Sequence, residues 1–465
     1  MKSKIKEIVS NKYIYCFTLI TLVFFGIFIR MEFATDTYAT LSFSLKEFIN
    51  QFTSSGRFVL IILGGILKIL NVKPKTIYIC SFILAIFCFI LSLYKLYCII
   101  KNDIGSEILK KIIPVIILLN AFSIELFLFV EKGVMVLSLT LCIFAVETIK
   151  KYFESKNKRY ILITAFLMLL ANFSYQGVVG IFVAISTVYI LKYSKDIKQF
   201  IVNNLIVGLS YGIPAIIDYL LIKFICSGSR VSGEIVLVES LKKIYSGTKY
   251  MILSTYSILP KYFLLVLIGI TVFILLYEII RQKKDKATKI IESLKVIYII
   301  VLTLLASIAP QIMQNTSSIW MVARSTYTYA SLYGILILYL FMNYIEASNI
   351  KYIIIILSVI LLIVQFYSFN NIETDRYKLN AIDYEISRKI NNKIVDYEKE
   401  TGIEVNQISI YNDKSRGYTY EGIFATGDIN VKAFSTDWSI QYMFKYYYGK
   451  NLKVTENDVR NSWRI

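Results

Sequence analysis

The sequence contains no histidine, only five prolines and few charged residues. Histidine is the commonest transition-metal ligand and the commonest general base near neutral pH, so other residue types would have to supply that chemistry. The six cysteines lie in apolar stretches without a CxxC pair, which indicates buried small side chains and not a redox or zinc site. The sequence also has no Walker loop and no GxGxxG motif. These absences disfavour nucleotide hydrolysis and the use of nucleotide sugars.

Apolar residues are abundant instead. They make up 56% of the 465 residues, charged residues make up 18%, and the mean hydropathy is +0.60. A membrane-spanning helix needs about 20 mostly apolar residues. By this measure the sequence predicts an all-α polytopic membrane protein with about eleven transmembrane helices, over residues 13–29, 76–99, 112–130, 133–149, 160–173, 177–191, 200–226, 250–280, 291–309, 325–345 and 351–368.

Two regions contain apolar segments that are shorter than an ordinary membrane span. The segments 160–173 and 177–191 are short, so they form either two spans or one re-entrant hairpin. The run from Phe58 to Leu70 has thirteen residues, which is too few to span, and it is predicted to lie along the outer membrane surface.

The distribution of basic residues predicts the orientation. With a cytoplasmic N-terminus, the inner segments 1–12, 95–111, 150–159, 192–198, 281–295 and 346–351 hold 23 Lys and Arg in 67 residues, as the positive-inside rule requires. The first span is expected to remain uncleaved, since no small-x-small site follows promptly. Residues 370–465 carry fourteen basic and fourteen acidic residues, so the whole net charge of +19 lies before them. We therefore expect a transmembrane domain over 1–368 and a small external α+β domain over 369–465. This external domain is predicted to begin with a charged helix over about 377–400, followed by a strand over 405–411.

The first outer loop, residues 30–75, carries the strongest candidates for chemistry. Asp36 follows the first membrane exit and is suited to act as a general base; its alternative is an ordinary solvated aspartate. Glu32 is a second candidate carboxylate or the partner of Arg30. Arg57 is suited to bind a phosphate or an anionic lipid. One helical face over 41–52 is apolar and predicts a helix on the membrane surface, formed by Leu41, Leu45, Phe48, Ile49 and Phe52.

Further candidates lie near the other predicted outer ends. Arg324, among aromatic residues, would bind phosphate or extend to lipid head groups, and Arg230 would order over a substrate or be an ordinary loop arginine. A predicted turn contains the polar side chains of Asn172, Tyr175 and Gln176. These side chains are suited either to bind sugar hydroxyls or to form helix–helix hydrogen bonds. Glu125 is a carboxylate near the outer end of its predicted span. Asp218 is expected to form an internal ion pair with Lys223.

The arrangement resembles the integral-membrane glycosyltransferases of the GT-C fold, and among them the bacterial Gtr type II glucosyltransferases. The resemblance depends on four short segments, Thr35-Asp-Thr-Tyr38, Ser55-Gly-Arg57, Tyr175-Gln176 and Gly427-Asp-Ile-Asn-Val-Lys-Ala-Phe-Ser-Thr-Asp-Trp438. It implies transfer of glucose from polyprenyl-phosphate-glucose to a surface glycan on the outer face. Many relatives have two adjacent acidic residues in the first loop, whereas Thr37 follows Asp36 here. The departure argues against a two-carboxylate or metal-bound mechanism and leaves Glu32 as a substitute. A divalent cation is possible but not indicated.

The predicted function is therefore transfer of glucose or a related hexose, with inversion, and with no nucleic-acid partner. Asp36 and Glu32 are the candidate catalytic residues, and Arg57, Arg324 and Arg230 are the candidate phosphate ligands. The candidate sugar or acceptor ligands are Tyr38, Asn172, Tyr175, Gln176 and Glu125. Two alternatives share the multi-span frame: a surface-polysaccharide polymerase and a lipid-linked sugar flippase.

Overall fold

Helices form nearly all of the regular structure. The computed structural model describes residues 12–226, 231, 233–344, 350–410 and 418–456. The α-helices are α1 Lys12–Phe25, α2 Thr35–Ser42, α3 Leu45–Thr53, α4 Phe58–Ile69, α5 Pro74–Ile100, α6 Glu107–Leu118, α7 Ser123–Phe127, α8 Lys132–Ser155, α9 Arg159–Ser174, α10 Gly180–Tyr193, α11 Ile197–Leu220, α12 Leu237–Ser254, α13 Phe263–Arg281, α14 Lys286–Ile312, α15 Tyr327–Ala330, α16 Leu332–Asn343, α17 Ile350–Thr401 and α18 Asp437–Tyr448. Short 3₁₀ turns and one π turn, Leu221–Ile225, join several of them.

Within the described ranges, eight helical segments are long and apolar enough to cross a membrane. They are Lys12–Ile29, Pro74–Ile100, Lys132–Ser155, Gln176–Tyr193, Ile197–Phe224, Phe263–Arg281, Lys286–Ile312 and Ile350–Thr401. Three further apolar helices are shorter, namely α4, α9 and α16. The chain is thus an all-α membrane protein in its composition and helix lengths.

Two predicted spans, 112–130 and 325–345, are not continuous helices. The first is interrupted after α6 and the second between α15 and α16. Asn120 lies at the first interruption, where its Nδ2 donates to Ile117 O (3.1 Å) and to Ser331 Oγ (2.8 Å). Ser331 donates in turn to Ile117 O (2.7 Å), and Tyr327 donates to Leu118 O (2.5 Å). Side chains near the second break therefore satisfy carbonyl groups that the first break leaves open, which is how irregular backbone is tolerated in an apolar interior.

The predicted span 250–280 starts too early, because its helix begins at Phe263. Two helices occupy this region, α12 and α13, and a turn separates them. Thr255, Tyr256, Ser257 and Tyr262 adopt positive φ values in that turn, and Pro260 has no amide proton with which to continue a helix. The span begins at Phe263 because the apolar residues before it belong to the turn and to the end of α12.

The predicted surface helix over 41–52 is divided into α2 and α3. Ser44 caps α3: its Oγ accepts from Glu47 N (3.3 Å), while Glu47 Oε2 accepts from Ser44 N (2.7 Å). This reciprocal capping box starts a new helix at Leu45. Phe48 and Phe52 are buried against α4, whereas Leu45 and Ile49 are exposed. Leu41 is also buried, so three of the five residues of the predicted apolar face pack against the protein.

The long helix α17 runs through the boundary predicted at residue 368, and the separate helix expected near Tyr377 is part of it. Its polar half joins the first loop to the C-terminal segment. Asn380 exchanges two hydrogen bonds with the Phe33 backbone (2.6 and 3.0 Å), and Asp383 accepts from Ala433 N (2.9 Å). The predicted strand over 405–411 is present as β1, Gln407–Ile410, which pairs in parallel with β2, Lys453–Glu456.

Candidate functional site

Asp36 lies in the first turn of α2, where the helix dipole favours a negative charge. The carboxylate is half-buried, and no side chain or backbone group in the described part of the chain forms a hydrogen bond or ion pair with it. The adjacent backbone is fixed, because Thr37 Oγ1 accepts from Ala34 N (3.3 Å). The local structure therefore holds a carboxylate in place without consuming its hydrogen-bonding capacity.

Two buried arginines lie in the electrostatic range of Asp36. Arg57, at the start of α4, is 8% exposed, and its Nη1 lies 3.3 Å from Glu131 Oε1. The Arg57 guanidinium also lies over the ring of Tyr175, at 5.2 Å from the centroid. Its buried Nε has no hydrogen-bond partner in the described residues, and neither does Glu131 Oε2. Buried polar atoms are normally satisfied, so these two point towards a ligand.

Arg324 is held more completely than Arg57. It is 9% exposed, its backbone N and its Nη1 donate to Glu125 (2.6 and 2.7 Å), and its Nη2 donates to Asp428 Oδ2 (2.5 Å). The guanidinium also covers the ring of Phe129 at 4.1 Å. Glu125 is only 1% exposed, so this ion pair lies in the interior. Arg324 thus joins the loop before α15 to the C-terminal segment.

These charges act together on Asp36. Burial raises the pKa of its carboxyl to about 6, and repulsion from Glu131 and Asp428 adds to that increase. Attraction to Arg324 and Arg57 opposes it. Asp36 is therefore near its titration point at mildly acidic pH and is ionised at neutral pH. A carboxylate of this kind can accept a proton, and the neighbouring guanidinium groups can stabilise an anion.

The turn between α9 and α10 lies against this site. Tyr175 faces Arg57, and the next residue, Gln176, donates from Nε2 to Ser55 O (3.2 Å) and to Asp218 Oδ2 (2.9 Å). The backbone of Gly177 approaches Arg324 so closely that an added Cβ would lie 2.5 Å from the Arg324 carbonyl oxygen. Asn172 donates to Met168 O (2.8 Å) within its own helix. The turn therefore brings the first loop and the Arg324 loop together.

Gly56 sets the close approach of the Ser55–Arg57 turn. Its φ is +71°, and an added Cβ would lie 2.4 Å from Ile222 Cδ1 and 2.8 Å from Asp218 Oδ1. Gly56→Ala should therefore lower the stability of the purified protein by about 1–3 kcal/mol, since overpacking adds to the backbone cost. Gly402→Ala is the matched control, because Gly402 has a φ of +70° with nothing near its Cβ position. Equal thermal losses for the two variants would contradict this account of Gly56.

Three predicted site residues lie elsewhere or outside the described chain. Glu32 is buried and faces Glu373 on α17, with Arg30 at 4.0 Å, and burial followed by repulsion from Glu373 raises its pKa to about 8. It therefore holds its proton at neutral pH. Tyr38 stacks on Phe33 (4.3 Å between centroids), and its hydroxyl lies 3.4 Å from that of Tyr447, so it packs the C-terminal segment onto α2. Arg230 lies outside the described residues.

The sequence analysis missed two acidic partners, Glu131 and Asp428, and gave a third, Asp218, the wrong partner. Glu131 follows the predicted span 112–130 directly, and a charge at a membrane exit was the available signal. Asp428 is 104 residues from Arg324, and no local pattern connects them. Asp218 forms no ion pair with Lys223: Lys223 Nζ lies near Tyr219 Oη (3.4 Å), while Asp218 bonds to Gln176. In the described part of the chain, no three His, Cys, Asp or Glu side chains group as a metal site.

Comparisons with known proteins identify no relative. The chain matches no protein-family model, no curated protein and no solved structure.

Proposed function

We propose that this protein is a membrane glycosyltransferase of GT-C-like architecture, related to the Gtr type II glucosyltransferases. It transfers glucose or a related hexose from a polyprenyl-phosphate donor to a cell-surface glycan on the outer face of the plasma membrane. The observation that carries the proposal is the half-buried, unpaired Asp36 carboxylate in the field of two buried arginines, Arg57 and Arg324. A glycosyl phosphate needs this pairing, because a proton must leave the acceptor while negative charge develops on the phosphate.

The chemistry is a single displacement. The acceptor hydroxyl oxygen forms a bond to the anomeric carbon, the bond from that carbon to the phosphate oxygen breaks, and polyprenyl phosphate leaves. Asp36 takes the hydroxyl proton as general base. Arg57, with its unpartnered Nε, stabilises the departing phosphate. Arg324 is held by Glu125 and Asp428, and it contributes positive charge to the site at longer range. Attack opposite the leaving group inverts the anomeric configuration.

An apolar cavity beside the site supports a lipid donor. It has a volume of about 290 Å³ between α3, α4 and α5, and Glu131, the partner of Arg57, lines it. Its other lining residues are mainly apolar and include Phe48, Leu60, Leu63 and Leu84. An isoprenoid chain in this cavity would bring its phosphate to Arg57.

A transfer assay tests the proposal and separates it from its alternatives. Membranes from cells expressing the protein receive polyprenyl-phosphate-glucose with a labelled sugar, and the products are separated by thin-layer chromatography. We expect the label to move from the lipid to surface glycan one hexose at a time. Growth of a lipid-linked chain would indicate a polymerase, and label that crosses the bilayer but stays on the lipid would indicate a flippase. Either of these results would contradict the proposal.

The raised pKa of Asp36 predicts a pH dependence. A general base must be ionised, so kcat/KM for transfer should rise with pH through about 6 and then level off. Initial rates between about pH 5 and pH 8 measure this limb. A flat profile in the wild type, or the same limb in the residual activity of Asp36→Asn, would rule out Asp36 as the titrating base.

The proposed orientation predicts which residues a membrane-impermeant thiol reagent reaches in intact cells. In a cysteine-free background, Leu70→Cys and Tyr418→Cys should react from outside, since both side chains are exposed and belong to proposed external segments. Lys156→Cys, in a proposed cytoplasmic loop, should react only after permeabilisation. Labelling of Leu70→Cys from the cytoplasmic side alone would make α4 a span and overturn the proposed topology.

A further inference from the structure

A second cavity, with both apolar and polar lining residues, lies behind the Ser55–Arg57 turn. Its volume is about 120 Å³, which is room for several water-sized groups, and it is closed by that turn, by α11 and by the C-terminal end of α14. Polar side chains from four different segments line it: Ser54, Asn172, Gln176, Tyr211, Asp218 and Gln314. Asp218 is the one charged residue among the described lining residues, and no lysine or arginine is among them.

Asp218 has an unused hydrogen-bonding position in this cavity. Its side chain is buried, at 3% exposed, and Oδ2 accepts from Gln176 Nε2 (2.9 Å). Its Oδ1 has no hydrogen-bond partner among the described residues. A buried carboxylate oxygen without a donor is costly, so its retention at a cavity wall indicates that a ligand supplies the donor.

The lining indicates the chemical class of that ligand. Amide and hydroxyl groups beside one carboxylate suit a molecule with several hydroxyl groups, each able to donate and accept. Among the described lining residues, an anion would meet Asp218 with no compensating cation, and a metal ion would find a single carboxylate. A neutral sugar fits both conditions.

The cavity adjoins the phosphate-binding arginine. Gly56 lies against it, since its Cβ position is 2.8 Å from Asp218 Oδ1, and the next residue is Arg57. In the same way Gln176 bonds to Asp218 while Tyr175 faces Arg57. The Gly56-Arg57 step thus joins the cavity wall to the arginine, and the Tyr175-Gln176 step places one side chain over the arginine and the next at the cavity.

We propose that this cavity binds the sugar ring of the glycosyl donor, with Asp218 accepting a hydrogen bond from a ring hydroxyl. The inference rests on the proposed function, because it is that reaction which supplies a sugar attached to a phosphate. The apolar cavity then binds the lipid chain of the donor, Arg57 binds its phosphate, and the Asp218 cavity binds its hexose.

Saturation-transfer NMR with methyl β-D-glucopyranoside tests this site directly. The full chain is placed in lipid nanodiscs free of glycoside detergents, and cyclohexylmethanol serves as a probe of similar shape without ring hydroxyls. We expect the glucoside and not cyclohexylmethanol to bind the wild type. Asp218→Asn should weaken glucoside binding at least about tenfold, since a hydrogen bond to a charged group is lost. Asp285→Asn, which changes an exposed helix cap, should leave it unchanged.

A second variant guards against loss of folding, and the transfer assay separates the two proposals. Ala215→Leu fills the cavity but keeps the Asp218 carboxylate, and it should also reduce glucoside binding. Asp36→Asn should reduce transfer by about 10²–10⁴-fold but still bind the glucoside. Wild-type binding by Asp218→Asn and Ala215→Leu, or no glucoside binding by the wild type, would overturn the cavity inference alone. Glucoside binding without any transfer from the lipid donor would overturn the proposed function and leave the cavity as a sugar site.

Discussion

Asp36→Asn is expected to reduce hexose transfer by about 10²–10⁴-fold, which is the usual contribution of general-base catalysis. The amide keeps the shape of the carboxylate but cannot accept the acceptor's proton. Because Arg57 and its unpartnered Nε are untouched, donor binding should be retained. The effect should therefore appear in kcat far more than in KM, measured with labelled polyprenyl-phosphate-glucose.

Asp437→Asn provides a matched control. Asp437 is also a half-buried aspartate in the first turn of a helix, α18. It has no place in the proposed mechanism, so its variant should transfer hexose at the wild-type rate. A similar loss in both variants would mean that the effect of Asp36→Asn is structural.

The stability of Asp36→Asn provides a second test of whether its loss of transfer comes from the missing base or from a destabilised fold. The pKa of Asp36 is raised in the folded protein to about 6, so ionisation disfavours folding as the pH rises from about 4 to 6. The asparagine variant escapes this cost. Its melting temperature at neutral pH should equal or exceed that of the wild type, and the advantage should vanish below about pH 4. A less stable variant at neutral pH would contradict the assigned environment of Asp36.

Arg324→Ala is expected to cause the largest loss of stability. The arginine satisfies Glu125, which is only 1% exposed, through two hydrogen bonds of 2.6 and 2.7 Å. One of these comes from the backbone and survives, but the charge partner is lost. Removing one member of a buried ion pair typically costs about 3–5 kcal/mol, because the other charge is left uncompensated. Thermal unfolding of the purified protein measures this loss.

Arg388→Ala is the control for that measurement. Arg388 also forms a two-point pair, with Glu385 at 3.0 Å, but both side chains are exposed. Its loss should change the stability far less, because water and salt weaken an exposed ion pair. The double variant Arg324→Ala with Glu125→Gln should recover part of the stability, since it removes the orphaned charge. Equal losses for the two single variants would show that the Arg324 pair is not a buried one.

The apolar runs predicted most of the helices because a span depends on summed hydropathy over about 20 residues. The apolar runs did not predict the helix ends that depend on the hydrogen bonds of single polar side chains. Asn120 and Ser331 lie at the breaks in two apolar runs, where both donate to the Ile117 carbonyl, and Ser44 restarts a helix inside one amphipathic pattern. A hydropathy window averages over such residues and cannot detect them.

The candidate site was predictable only in its local parts. Asp36 and Arg57 stand in one loop, so their position after a predicted span was enough to select them. The partners that define their environment come from distant segments, as with Asp428 beside Arg324. Asp218 shows the opposite error: a lysine five residues away suggested an ion pair, but the side chain bonds to Gln176 in the turn between α9 and α10. Charge proximity along the chain did not translate into contact.

The most direct test of the central claim follows the anomeric carbon of the donor. Purified protein in liposomes receives polyprenyl-phosphate-glucose labelled with ¹³C at the anomeric position, together with surface glycans extracted from the cells that make the protein. Wild-type protein should convert the phosphate-linked carbon into a glycosidic carbon of the opposite configuration, and Asp36→Asn should do so about 10²–10⁴-fold more slowly. A donor signal that persists unchanged with the wild type, or that disappears equally fast with Asp36→Asn, would contradict the account.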